Sequence, residues 1–530
     1  MSDIPPSTAE EAWRAANEQL RRVVELKDAE VAVLKTLLTE ERAARAAERE
    51  AEREARRRLE LRLAELERRL GMDSTNSSTP ESKESIAAKA RRKAERQTSQ
   101  RERSKDRKPG GQKGRKGAGL TPAPEGERAE RTAEPPAECS GCGHDLAGAR
   151  QVGADWAQVW DIAPITVEKT HWLLPKLVCG GCGTTTRAAA PSGQAGSVVY
   201  GPNVNAAAIM VQALGNVPVE RTAMLMEALL STSVSAGFVA KAHARFADKL
   251  ACAGFDEAMK AALRAEDVLC GDETPVNVLR KDTDEQTGEP LPGRPHIVTL
   301  RTPDERLVWL KPIGARSKDA IKDLGVLNGY AGYLVRDDYK GWAQFAGQLA
   351  GVQQCGAHLV RHLAGVRDLH PVEQGWAERV RKTLLAALVA VRQAAADNRD
   401  RLDDDLLAGL RARYDHEVHW GQITNRHRDW HDGNHPGYRL ARRLAAKAEQ
   451  VWLFTSNFAV PFTNNASEQA LKEPKRHQAV SGYWHTMATL GRYCRVRFYL
   501  VTTKGHGIRA IDAIHAVLAG RPWLPTPVAT

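Results

Sequence analysis

VLCGDETPVNV, residues 268–278, is the stretch on which the fold reading turns. Val268, Leu269 and Cys270 make a short apolar, β-prone run, and Asp272 stands at or just past its end. PHIVTLRT (295–302) and RLVWLKPI (306–313) read as two further strands, joined by a turn at Pro303–Asp304. GYLVRDDYKGW (332–342) supplies another strand, Gly332 to Arg336, which delivers Asp337. QQCGAHLVRHL (353–363) reads as a strand running into a helix. Several strands and then a helix, with acids at strand ends, suit an α/β core with carboxylates gathered on one edge. Taken singly, acids at strand ends are commonly turn formers or caps, and no spacing forces Asp272 and Asp337 to meet.

Residues 371–455 are almost wholly helical in pattern, with the apolar run LLAALVAV (384–391), and read as a helical insertion. His416, His419, His427, His431 and His435 recur there at helical intervals. Asp432–Gly433–Asn434 breaks the helix that would carry the last of them, so they read as polar surface rather than as a metal site. In VPFTNNASEQALKEPKRHQAVSG (460–482), Asn465 as N-cap and Glu468 at the third helical position fit a capping box. Such a cap also fixes where a first-turn carboxylate points. Lys472, Lys475, Arg476, Arg492 and Arg495 form a basic flank suited to phosphate contacts.

Toward the N-terminus the chain changes character repeatedly. VPVERTAMLMEALLSTSVSAGFVAKAHARF (217–246) reads as two helices, Arg221 to Leu230 and Ser235 to Lys249, with Ser235 as N-cap. It fits a helix-turn-helix and, equally, an ordinary helical linker domain. Before it come two CxGCG knuckles, Cys139 with Cys142 and Cys179 with Cys182. Four soft sulfurs at this spacing provide a closed tetrahedral shell for structural Zn2+, whereas thiol chemistry needs only one pair. Trp156–Ile162 and Thr166–Leu174 read as hairpin strands between the knuckles. Polar NSSTPESKES (76–85) leads into a strongly basic segment that includes KPGGQKGRKG (108–117) and cannot build a core. This flexible arm, with Arg107, Lys108, Lys113, Arg115 and Lys116, suits sequence-independent phosphate contacts. Leu20, Val24, Val31, Leu34 and Leu38, then Leu59, Leu63, Leu66 and Leu70, fall on alternating three- and four-residue steps. That seam predicts a coiled coil and self-association as a homodimer or higher. Between the two patches, Glu41 to Glu54 reads as a solvated single helix held by Glu–Arg pairs.

Over 530 residues, 77 Lys and Arg against 66 Asp and Glu leave a formal charge of +11, which favours a polyanionic partner. Eight cysteines, four of them single, do not make the disulfide framework of a secreted protein. The start MSDIPPSTAEEAW lacks a basic, apolar leader, and the longest apolar run is far below the ~20 residues of a membrane span. The expectation is a bacterial, cytoplasmic, nucleoid-associated protein with no membrane partner.

Taken together, the NSS linker, GGQKGRKG (110–117), the paired CxGCG knuckles, GDET (271–274), LVRDDY (334–339), CGAHLVRHL (355–363), PFTNNASEQALK (461–472) and the closing SGYWHTMATLGRYCRVRFYLVTTKGHG (481–507) carry a resemblance. In this order and spacing they resemble the insertion sequence 66 family of transposases over nearly the whole chain. The resemblance implies an RNase H-like core with an Asp-Asp-Glu triad, here Asp272, Asp337 and Glu468. Asp338 stands where relatives carry glycine, Asn464 where they often carry Asp, and Gln469 and Lys472 where they often carry Arg. No triad member is lost. Hard carboxylates suit two Mg2+ (or Mn2+) ions serving both ends of an in-line phosphoryl displacement. The resemblance implies a division in which Asp272 would bridge both ions, with Asp337 on one and Glu468 on the other. His358 and Arg361 match the family's Cys-x-x-His-x-x-Arg pattern. They read either as phosphate or scaffold contacts or as part of a helix packed on the core. The partners implied are double-stranded DNA, as terminal inverted repeats and target, with accessory proteins of the same element.

The expected architecture is multidomain α+β. It runs as a coiled coil (10–72), a basic flexible linker (73–135), a zinc ribbon (136–192) and a helical, helix-turn-helix-like region (197–263). An RNase H-like core follows in two parts, 264–369 and 458–507 with the catalytic Glu, split by an all-helical insertion (370–457), and a tail (508–530) ends the chain. The function expected is Mg-dependent strand cleavage and strand transfer. A catalytically silent DNA-binding relic and a metal-dependent nuclease are the alternatives.

Overall fold

The computed structural model describes residues 8–73, 76–77, 89, 120–163, 165–190, 198–279, 290–291 and 293–526. The basic-arm residues Arg107, Lys108, Lys113, Arg115 and Lys116 lie outside the described residues. The chain forms two compact units: Met1–Lys89 with Gln353–Phe462, and Ala90–Val352 with Thr463–Thr530.

The first unit opens with one helix of 64 residues, Thr8–Gly71. Ala, Glu, Arg and Leu favour helix intrinsically, and Glu–Arg pairs one turn apart, such as Arg45–Glu41 at 2.6 Å and Arg58–Glu54 at 3.2 Å, line its surface. Its apolar seam faces solvent: Leu34, Leu59 and Leu70 are 64%, 71% and 80% exposed. The helix end is held by its polar side instead. Arg62 meets His431 at 2.7 Å and Arg57 pairs with Asp429. Glu65 is buried between Arg68 and Arg69, whose hydrogen bonds hold its carboxyl down at about 2.

Helices Gly356–Arg367, Gly375–Ala396, Asp404–Asn425, Pro436–Ala446 and Ala448–Ser456 complete this unit around Trp376, Leu384, Tyr414, Leu444, Trp452 and Phe454. His416, His419 and His427 are exposed, as polar surface residues should be. His435 is a correction, being only 1% exposed. Its ring Nδ1 accepts from the Gly437 amide at 3.1 Å, capping the helix that Pro436 starts.

In the second unit, helices Pro202–Gly215, Val219–Leu230, Ala236–Cys252 and Phe255–Arg264 precede the sheet. Ser235 caps as expected, accepting from Phe238 N at 3.1 Å. The five-stranded sheet has the order β5-β4-β3-β6-β7. Its strands are β3 (Val268–Pro275), β4 (His296–Arg301), β5 (Val308–Ile313), β6 (Tyr333–Arg336) and β7 (Gly351–Gln354), where the chain leaves for the first unit. A smaller hairpin comes earlier, β1 (Lys176–Val178) with β2 (Thr185–Arg187). β3 is central, antiparallel to β4 and parallel to β6.

Helix Met487–Gly505 packs on the same core, with Phe498 stacked on Phe255 at 5.2 Å. The segment 508–530 contains helix Ala510–Leu518, whose Ala513, Ile514 and Val517 are buried in that core. Trp156–Ile162 and Thr166–Leu174 form no strand. Trp156, Val159 and Ile162 are exposed; the residues flanking the second knuckle pair as β1 and β2, and a single antiparallel bridge, Glu138 with Asp145, flanks the first. A β-prone run without a surface to bury against does not hold an extended ladder.

Burial sets an acid limit on this fold. His243, His435 and His477 are all pushed down to about 4, chiefly by burial, with Arg428 adding to the effect at His435 and Arg497 at His477. A histidine whose folded pKa is depressed stabilises fully above its unfolded value of 6.5, and that stability is lost as pH falls toward 4. Urea unfolding midpoints should therefore drop between pH 6.5 and 5, a window where ordinary carboxylates stay ionised. A flat profile there would contradict buried, neutral histidines.

Candidate active site

Cys270 on β3 pairs with Val335 on β6 in parallel register. Two residues on from Cys270 stands Asp272, whose side chain shares the Cys270 face, and Asp337 stands one residue past the end of β6. β4 places Thr299 opposite Asp272 and Arg301 opposite Cys270 on that face. Helix Asn465–Ser481 brings the third acid, and two hydrogen bonds dock its first turn. Asn464 Nδ2 donates to the Gly271 carbonyl at 2.7 Å, and Arg301 Nη1 donates to the Ala466 carbonyl at 2.8 Å.

These contacts correct the capping-box reading. The N-cap is Asn464, not Asn465, and it makes no side-chain cap bond. Its amide is spent on β3, so Glu468 sits at the fourth helical position. The cap was displaced because tying the helix to the strand of Asp272 satisfies a buried carbonyl.

The three acids share one electrostatic field. Asp272 has its carboxyl raised well above the usual range, first by burial and then by the negative charges of Glu273, Asp337 and Glu468. Asp337 Oδ1 accepts from the Tyr339 amide at 2.9 Å, which fixes its direction. A cluster of anions that raises its own pKa is a receptor for positive charge. Among the described residues the ligand atoms of Asp272, Asp337 and Glu468 do not all lie within 4.8 Å of one another, though carboxylate oxygens are the donor type a hard divalent cation such as Mg2+ takes.

A fourth acid escaped the sequence reading. Glu273 points to the opposite face, its side chain 1% exposed, and its Oε2 accepts from the Trp342 indole N–H at 2.9 Å. Gly271 makes room for that indole, since a Cβ there would lie 3.2 Å from the Trp342 ring. Arg316 Nε donates to Glu273 Oε1 at 2.8 Å. Burial and the charge of Asp337 nevertheless raise the Glu273 carboxyl to about 7. The available signal was strand alternation, because a charged side chain facing the core mid-strand demands a buried partner.

Lys472, Lys475 and Arg476 are exposed on the helix that carries Glu468, and Arg476 pairs with Glu473 one turn back. Arg495, read as part of the same basic flank, grips Asp256 with two nitrogens at 2.7 and 3.0 Å and serves packing. Arg492 pairs with Asp248 at 3.2 Å. His358 and Arg361 lie half-buried on helix Gly356–Arg367 of the first unit.

The two cysteine knuckles are near copies. Cys139 N donates to His144 O at 2.9 Å and Cys179 N to Thr184 O at 3.0 Å. Gly143 N returns to Cys139 O at 2.8 Å and Gly183 N to Cys179 O at 2.9 Å. Both turns need φ near +73°, met by Gly143 and Gly183. Backbone amides of Gly141 and Cys142 hold the Cys139 thiol below its ordinary pKa, and Thr184 does the same for Cys182. Thiols poised toward thiolate fit a soft metal ion. The cysteines are brought together pair by pair. Among the described residues, no three of them gather within 4.8 Å.

Residues 136–183 match the zinc-finger binding domain of transposase IS66, and residues 197–490 match the transposase IS66 family. No curated protein matches the chain. The acid-bearing sheet and the knuckles thus lie in a protein of the transposase class. The matched core spans more than half of the chain, which belongs to the IS66 family of transposases. Among the described residues no helix is long and apolar enough to cross a membrane.

Proposed function

We propose that this transposase binds the ends of its own mobile element and catalyses DNA strand cleavage and strand transfer through Asp272, Asp337 and Glu468. The observation that carries this reading is the shared field of the three acids at the five-stranded sheet, with the half-buried Asp272 carboxyl raised by burial and by the charges of the other two. Divalent ions held by these carboxylates would supply Lewis-acid stabilisation to the attacking and leaving oxygens of the phosphodiester.

The chain's own residues supply position. β3 carries Asp272, the end of β6 delivers Asp337, and Asn464 and Arg301 lock the first turn that presents Glu468. Lys472, Lys475 and Arg476 extend a basic track along the same helix for phosphate contacts. The two knuckles would hold structural Zn2+ through Cys139, Cys142, Cys179 and Cys182. Joining two element ends requires at least two protomers, and the exposed leucine seam of helix Thr8–Gly71 supplies a coiled-coil contact for them.

The experiment is cleavage of a labelled duplex carrying the element's end, with Mg2+ or with EDTA, followed by product analysis. Nicks and joined strands are expected with Mg2+ and neither with EDTA. Nicks without joining indicate a nuclease, and tight binding without cleavage indicates a DNA-binding relic.

A further inference from the structure

We infer that Arg316 is a further phosphate-contacting residue of the site, aimed at DNA by Glu273 and Tyr339; this rests on the proposed cleavage reading. Arg316 stands in the loop between β5 and the short helix Lys318–Lys322. Three anchors hold it. Its Nε and Nη2 both reach Glu273 Oε1. Its guanidinium lies over the Tyr339 ring, 3.7 Å from the centroid. The Tyr339 hydroxyl donates back to the Arg316 carbonyl at 2.7 Å.

Despite these anchors the side chain stays 40% exposed, with Nη2 3.8 Å from Asp337 Oδ2. Among the described residues Nη1 has no hydrogen-bond partner. A plain structural ion pair would satisfy Glu273 without stacking the guanidinium or presenting its outer edge beside the second acid. An arginine fixed in this way is preorganised, so little rotamer freedom is lost when it meets a ligand. Its planar fork matches phosphate oxygens, and a polyanion entering a cluster of carboxylates needs such a cation at the rim. Tyr339 also directs Asp337 through its amide, so one residue sets both the acid and the arginine.

The test compares Arg316→Ala and Arg316→Lys with wild type on a labelled duplex carrying the element's end. Binding is measured across salt concentrations, cleavage rate at saturating DNA, and melting temperature as a fold control. Arg316→Ala should flatten the log-affinity against log-salt slope by about 0.9, one phosphate contact. It should also slow cleavage on the order of 100-fold. Arg316→Lys should recover the slope but only part of the rate, because an ammonium cannot fork. Wild-type slope and rate in a folded Arg316→Ala protein would overturn the inference and leave a counter-ion for Glu273. Should wild type bind but not cleave while the slope still falls, the phosphate contact stands and the cleavage reading is the one that fails.

Discussion

Asp272→Asn is expected to remove Mg-dependent strand cleavage by at least about 1,000-fold while leaving the protein folded and bound to the element's end. The substitution keeps the shape of the side chain and deletes one charge from the centre of the acid cluster. Because Asp272 is half-buried, partly desolvated and repelled by Glu273, Asp337 and Glu468, removing that charge relieves strain rather than creating it. The metal-free variant should therefore melt at the same temperature as wild type or slightly higher, the usual relation between a functional acid cluster and stability. Glu468→Ala should be equally inactive. Asp337→Asn should be inactive and Asp338→Asn active, since the charge of Asp337 is among the largest contributions to the field on Asp272. Cleavage within tenfold of wild type in Asp272→Asn, with intact melting behaviour, would sink the triad.

Loss of zinc should give the second large effect. One Zn2+ per chain is expected by elemental analysis, and none in a Cys139→Ser, Cys142→Ser double variant. Both knuckles are already turned, with paired thiols and matching backbone bonds, but the pairs are not gathered by the polypeptide itself. The segment around them, residues 136–190, has little buried apolar surface, so its order should depend on the metal. Structural zinc contributes on the order of 10–16 kcal/mol of apparent binding energy at neutral pH in small fingers. Chelation should expose residues 136–190 to limited proteolysis and weaken binding to the element's end, while leaving the proteolytic resistance of residues 202–279 unchanged. Equal protease resistance with and without zinc would refute a structural metal.

Much of the chain was legible before any contact was known. The strands around Asp272 and Asp337, the helix start at Ser235 and the two knuckles all rest on short-range patterns. Alternation, capping and Gly-bearing turns are satisfied by neighbours in sequence, so the residues that encode them are adjacent. The failures were of one kind. Asn465 fitted a capping box locally, yet Asn464 took the cap and spent its amide on the Gly271 carbonyl, a partner far away in sequence. His435 looked like surface and is buried beneath the helix it caps. Trp156–Ile162 read as a hairpin strand and forms none.

What the amino-acid order determined, then, was chemistry and local form: which acids end which strands, and which cysteines share a turn. Tertiary structure alone decided company. It set Asp337, one residue past the end of β6, and Glu468, docked through Asn464 and Arg301, in the field of Asp272, and turned Glu273 to hold Arg316. The reason is physical. Backbone preferences act over a few residues, whereas a buried charge selects its partner by desolvation, and that selection exists only once the core has closed.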